Sequence, residues 1–410
     1  MSFFNFAQGA IQLFALPGTE DYVQKVSKWI TTHLLDDINK HKASIADYFY
    51  MDDDDEDRLI HAEIPIEDFL NKYLIGQFSY YIHRNGAVEI SLKKSSRRRD
   101  VYIFHTFSEV EITDENGIKK RLTLADQELL LYNTLDALLG AKVRKITLFE
   151  LNLGQARSDK PKGRGSCNLR TFFRNITANG LKHLMLYQIH SEKSLIGIDT
   201  TRTAYDNLKG EKILKKYILR NYVKTLDFFN NVVKKDWIFS SVDAGGKSFA
   251  TTFSRSFKVP LLVVDKRRDP ITNKIEEITI LKPESLSVKD KVVFIVDDMI
   301  DSGGSIADVC RKYKELGARE INIAVCYGLF SDPAEKLLND LVKEGALNKV
   351  IIMDLVLHDK AFYDRNPYID VADTSYTTAR IVEKNYQGKS LEKYFEPFDA
   401  EVYLSKIFTP

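Results

Sequence analysis

The 410-residue chain carries 44% hydrophobic and 11% aromatic residues, enough apolar surface for two or three domains, each with a core. Its 59 Lys and Arg nearly cancel its 58 Asp and Glu, so no global field draws it to nucleic acid or an anionic membrane, and phosphate binding has to be local. Cys167, Cys310 and Cys326 lack paired spacing, which argues against a disulfide framework or a zinc site, and no apolar run approaches the ~20 residues that span a bilayer. A cytoplasmic protein is expected.

In chain order, residues 31–75 read as an insertion, because 52–57 is a run of acidic side chains that only a solvated loop can carry. Apolar runs at 101–107, 145–151 and 184–189 read as buried strands separated by helical patterns. In the first of these helices Leu131, Leu135, Leu138 and Leu139 share a face, and Gly140 stands where a C-cap is expected. Residues 208–235 have helical spacing and read as a connection. A second series of strands follows at 237–242, 260–265, 292–296, 320–327 and 349–354. The alternation predicts an α/β protein with two parallel-sheet domains, 1–220 and 221–385, and a short C-terminal extension over 386–410.

The most informative stretch runs from Val292 to Ser305. A buried strand leads into Asp297 and Asp298, then Asp301, Ser302, Gly303, Gly304 and Ser305, then a helix with Ile306, Val309, Cys310, Tyr313 and Leu316 on one face, closing at Gly317. Ligands of open α/β sheets sit beyond the carboxyl ends of strands, where a Gly-containing turn and a helix N-terminus offer N–H groups to a phosphate. Paired carboxylates there can accept hydrogen bonds from vicinal sugar hydroxyls. An ordinary strand-to-helix turn asks for one cap and one glycine, not this whole pattern.

This stretch resembles the signature of type I phosphoribosyltransferases and phosphoribosyl diphosphate synthases. From about residue 77 to 385 the order of motifs is similar to that of the ribose-phosphate diphosphokinase family. The resemblance implies two phosphoribosyltransferase-like domains, ribose 5-phosphate and ATP as substrates, Mg2+, and a homo-oligomer. It assigns ribose 5-phosphate binding to Asp297, Asp298, Asp301, Ser302, Gly303, Gly304 and Ser305. It likens Ser240–Gly246 to the family's diphosphate loop, with Asp243, Ala244, Gly245 and Gly246 at the turn and Asp243 at a magnesium position. Lys266 and Arg268 match the catalytic cations of a flexible loop, and His190 matches a histidine that contacts the magnesium nucleotide. Arg157 and Asp159 match a nucleotide segment.

The departures lie in the expected nucleotide site. Gln188 stands where the family carries Asp, and Ser158 where it carries Gln. In the stretch that aligns with the loop the family uses to hold adenine, only Asn85 matches; His83 could stack on a base, and Ala87 has no polar contact to offer. Two rival readings follow: a phosphoribosyltransferase, and a non-catalytic homologue of the diphosphokinases.

Overall fold

The computed structural model describes residues 11–41, 65–161, 163–268 and 275–408. They form two compact units, 1–208 with 374–393, and 209–373 with 394–410. The first has a five-stranded sheet of order β1-β4-β7-β8-β9, all parallel, with β1 Ile11–Ala15, β4 Asp100–Thr106, β7 Lys145–Asn152, β8 His183–Tyr187 and β9 Ala204–Leu208. The second has seven strands, β12-β11-β10-β13-β14-β15-β16, with β10 Trp237–Ser240, β13 Val292–Ile300, β14 Glu320–Gly328, β15 Lys349–Met353 and β16 Ile369–Ala372, parallel except where β12 Ile275–Leu281 runs against β11 Leu261–Arg268.

Central strands are apolar on both faces because helices cover both. All of β4 is buried, and so is the Val292–Val296 portion of β13 (Val292–Ile300). Beneath one face of the second sheet lie Val293, Ile295, Ile323 and Val325, packed with Ile306, Val309, Cys310 and Tyr313 of the helix Gly304–Glu315. The other face is aromatic, with Trp237 and Phe239 of β10 (Trp237–Ser240), Phe294, and Phe253 and Phe257 of the helix Lys247–Phe257 in mutual ring contact.

The expected boundary at 220 falls inside the helix Glu211–Tyr222, which packs on β14, β15 and β16 and so belongs to the second unit. The helix Ser375–Tyr386 returns to the first unit, where Thr374 and Thr378 bond Tyr22, and Thr378 also bonds Tyr187. Sequence spacing cannot show such a return, because it depends on which apolar face the helix meets. The stretch read as an insertion has buried flanks. The helix Glu20–His41 buries Ile30 and Leu34, and the helix Ile66–Leu74 buries Leu70 and Leu74. The acidic run at 52–57 lies outside the described residues. Gly140 is the last helical residue rather than the cap; the left-handed position falls at Lys142, φ 56°. In the extension, the helix Ala400–Phe408 buries Leu404, and its Glu401 bonds Lys234 and Lys258.

One buried charge bears on stability. Lys215 is 2% exposed, with its ammonium 4.9 Å from the centroid of the Phe253 ring. Burial pulls its pKa down to about 8, with Glu211 pulling the other way. An unfolded chain holds this proton to about 10.5, so stability rises with pH between about 8 and 10.5, and below that window the buried cation weighs on the fold in full. Replacing Lys215 by Met together with Glu211→Gln is expected to stabilise the protein at pH 7 by on the order of 1–3 kcal/mol, since buried pairs replaced by fitting neutral groups often gain that much. Thermal melts at pH 7 and pH 10 check it: the gain should shrink at the higher pH.

Candidate active site

β13 carries its paired carboxylates further than expected, staying paired with β14 (Glu320–Gly328) through Asp297 and as far as Ile300. The helix Gly304–Glu315 begins after Gly303, whose φ of 75° is left-handed, so a side chain there would be strained. The helix ends with Gly317 at φ 80° and the Ala318 N–H bonded back to Tyr313, a glycine-terminated close. Space above Gly304 is open to 4 Å, so a phosphate can approach the helix N-terminus.

The strand order brings a second loop to this edge. β10 lies beside β13 with Ser240 opposite Ile295, so the turn 241–246 emerges next to Asp297. There Asp243 Oδ1 accepts a hydrogen bond from the Gly246 N–H at 3.1 Å. A Cβ on Gly246 would stand 3.2 Å from Asp297 Oδ1, close enough that the carboxylate would have to shift, so the two loops approach tightly here. Asp297 also accepts the Asp298 N–H at 3.0 Å. Burial, with the charges of Asp298 and Asp243 adding, pushes the Asp297 carboxyl up to about 8. Clustered like charges of this kind fit a cation bound between them and a phosphate. Among the described residues no three His, Cys, Asp or Glu side chains gather closely enough to hold an ion unaided.

Lys266 joins the same edge. Residues 266–268 are not a loop but the end of β11, paired with β12 and bulged between Arg267 and Arg268, so the antiparallel ribbon continues past the parallel sheet. Lys266 Nζ donates to the Ser305 carbonyl at 3.0 Å, across β10 and onto the first turn of the helix after the ribose-phosphate signature. The backbone of Arg268 closes the strand; its side chain and residues 269–274 lie outside what is described.

The expected nucleotide residues lie on the first unit, and there several side chains have local structural jobs. Asn85 accepts the Ala87 N–H in the turn between β2 (Phe78–Ile82) and β3 (Val88–Leu92). His83 pairs with Glu89 at 3.0 Å and meets Tyr81 edge-on. Ser158, in place of the family's Gln, bonds the Asn168 N–H at the start of the helix Asn168–Ala178, with Arg157 and Asp159 on the turn beside it. Gln188 sits at φ 45°, its Oε1 buried with no hydrogen-bond partner among the described residues, and exposed His190 follows.

Two features were not anticipated. Asn207 accepts the Ile189 N–H and donates to Glu192, fixing the segment around His190. At the ends of β4 and β7, His105 Nδ1 bonds Glu150 at 2.8 Å, both buried, and burial raises the Glu150 pKa against the pull of His105. Each lies one strand from its partner, a relation that residue spacing does not record.

A family model described as a phosphoribosyl transferase domain matches residues 204–354. The chain is 26% identical over 307 residues to a ribose-phosphate pyrophosphokinase of Mycoplasma pneumoniae, covering 74% of this chain and 82% of that one. It is also 26% identical over 343 residues to ribose-phosphate pyrophosphokinase A of Dictyostelium discoideum, covering 82% and 95%. The fold is that of phosphoribosylpyrophosphate synthetase from Mycobacterium smegmatis, with a TM-score of 0.66 at 18% identity, covering 92% of this chain and 99% of that one. Signature, paired loops and relatives agree in likening the chain to the ribose-phosphate pyrophosphokinases, and its fold is that of a phosphoribosylpyrophosphate synthetase.

Proposed function

We propose that the protein is a ribose-phosphate diphosphokinase that transfers the β,γ-diphosphoryl group of ATP to O1 of ribose 5-phosphate, giving phosphoribosyl diphosphate and AMP. What carries this reading is the meeting of three elements at one sheet edge: the ribose-phosphate signature, the Asp243–Gly246 turn against Asp297, and Lys266 on the Ser305 carbonyl. A phosphoribosyltransferase would need the first of these but not the Lys266–Arg268 cations.

In this mechanism Gly303, Gly304 and the hydroxyls of Ser302 and Ser305 bind the 5-phosphate, while Asp297, Asp298 and Asp301 orient the sugar hydroxyls. The turn of Asp243, Ala244, Gly245 and Gly246 receives the diphosphate. A bond forms between O1 and the β-phosphorus as O1 gives up its proton to water and the bond from that phosphorus to the α,β-bridging oxygen breaks, and AMP departs. Lys266 and Arg268 stabilise the charge developing on the transferred group. Asp243 is the residue of the diphosphate turn that would hold Mg2+, which neutralises diphosphate charge when bound, and His190 is separately proposed to contact the magnesium nucleotide. Arg157, Asp159, His83 and Asn85 are the residues proposed to meet the nucleotide. A homo-oligomer and a cytoplasmic location complete the reading. Three buried cysteines outside any disulfide fit a reducing compartment.

The test is incubation of the protein with ribose 5-phosphate, Mg2+ and ATP, following AMP and phosphoribosyl diphosphate by chromatography. The two products should appear in equal amounts. The structural jobs of Ser158 and Asn85 favour one alternative, a non-catalytic homologue, and ribose 5-phosphate binding with no turnover on any nucleotide would select it.

A further inference from the structure

Beyond β14 the chain makes a turn that none of the roles above uses. The N–H groups of Leu329 and Phe330 both donate to the carbonyl of Ile300, at 2.8 and 3.3 Å, so the turn grips β13 at the residue where the ribose-phosphate loop starts. Further along, Ala334 lies against Gly303, 3.4 Å from where a Cβ would stand. The turn therefore meets the loop at both ends.

Phe330 adopts φ 50°, a left-handed conformation that a bulky residue holds only when its surroundings compel it. They do so through the ring. It lies so close over Gly328 that a Cβ there would be 2.6 Å away, and its centroid is 5.3 Å from that of His358 and 5.4 Å from that of Phe362. His358 Nε2–H donates to the Gly328 carbonyl at 2.7 Å, and the ring stacks on Phe362 at 4.2 Å. The next residue, Asp359, caps the helix Lys360–Arg365. Burial lowers the His358 pKa, which keeps the ring neutral and its one N–H on Gly328.

We propose that the turn 328–334 is a strut that sets the ribose-phosphate loop, with Phe330 and His358 as positioning residues that hold residues 301–305 in their phosphate-binding shape without touching substrate. The kinetic consequence rests on the proposed function; the structural one does not.

Three variants of the full chain test it: His358→Leu, which removes the donor; His358→Gln, which keeps an N–H; and Phe330→Gly, which relieves the backbone but removes the ring. His358→Leu and Phe330→Gly should raise KM for ribose 5-phosphate about tenfold, leaving kcat and KM for ATP within about twofold, and His358→Gln should recover most of the loss. Hydrogen exchange should quicken about tenfold across 301–305 and stay unchanged across 243–247. An unchanged KM in folded variants, or a loss shared equally by both substrates and both loops, would overturn the strut. If the wild type turns nothing over, the proposed function fails, and exchange at 301–305 alone decides this inference.

Discussion

Replacing Lys266 with alanine is expected to lower kcat by roughly 10²–10³, the effect of removing one preorganised donor from a developing charge. Its ammonium sits on the Ser305 carbonyl, held by β11 rather than by a free loop, so its position is set before substrates arrive. Phosphoryl transfer offers little covalent chemistry for a side chain to perform, and positioning and electrostatics carry the rate. Steady-state kinetics should show kcat falling with KM for ribose 5-phosphate nearly unchanged, because the cation acts on the transferred group and not on the sugar. A comparable rise in KM with kcat intact would mean that Lys266 serves the loop and not the chemistry.

The second large effect is expected at Asp297. Asp297→Asn should lower kcat/KM by roughly 10²-fold, since a hydrogen bond to a charged group contributes about 1.5–3 kcal/mol. The same change should stabilise the ligand-free protein at alkaline pH. The carboxyl is raised from 3.8 to about 8 in the fold, so between those values the folded state holds a proton that the unfolded chain has lost. Its contribution is therefore most favourable below about pH 4 and declines as pH rises toward 8. The asparagine variant lacks that decline. Melting temperatures at pH 6 and pH 8.5, measured without substrate, should separate further for the wild type than for the variant. Equal separation would place the proton elsewhere in the carboxylate cluster. A residue that lowers stability where it serves the reaction is a common arrangement at active sites.

Much of the second unit was legible in the residues themselves. The β-branched run before Asp297, the glycines after it and the apolar face from Ile306 to Tyr313 each obey a local rule, and strand, turn and helix form where those rules place them. The series of buried strands likewise announced parallel sheets. The edge elements were less legible. β1, β9 and β16 have only four or five residues each, and β1 pairs with β4, far along the chain. The departures at Ser158, Gln188 and Ala87 looked like losses at a nucleotide site; the structure gives Ser158 work at the start of the helix Asn168–Ala178 and bonds the Ala87 N–H to Asn85 in its own turn.

By itself the sequence determined that this chain is α/β and that, after a buried strand, it carries a stretch of carboxylates, glycines and serines resembling a ribose-phosphate signature. These are properties of contiguous residues, whose spacing along a strand or helix is also their spacing in space. Tertiary structure alone decided what meets across strands. It set Gly246 against Asp297, Lys266 on Ser305, the turn 328–334 on Ile300 and Gly303, and the helix Ser375–Tyr386 in the first unit. The order of strands in a sheet follows from packing of whole faces, and no local preference in the chain encodes it.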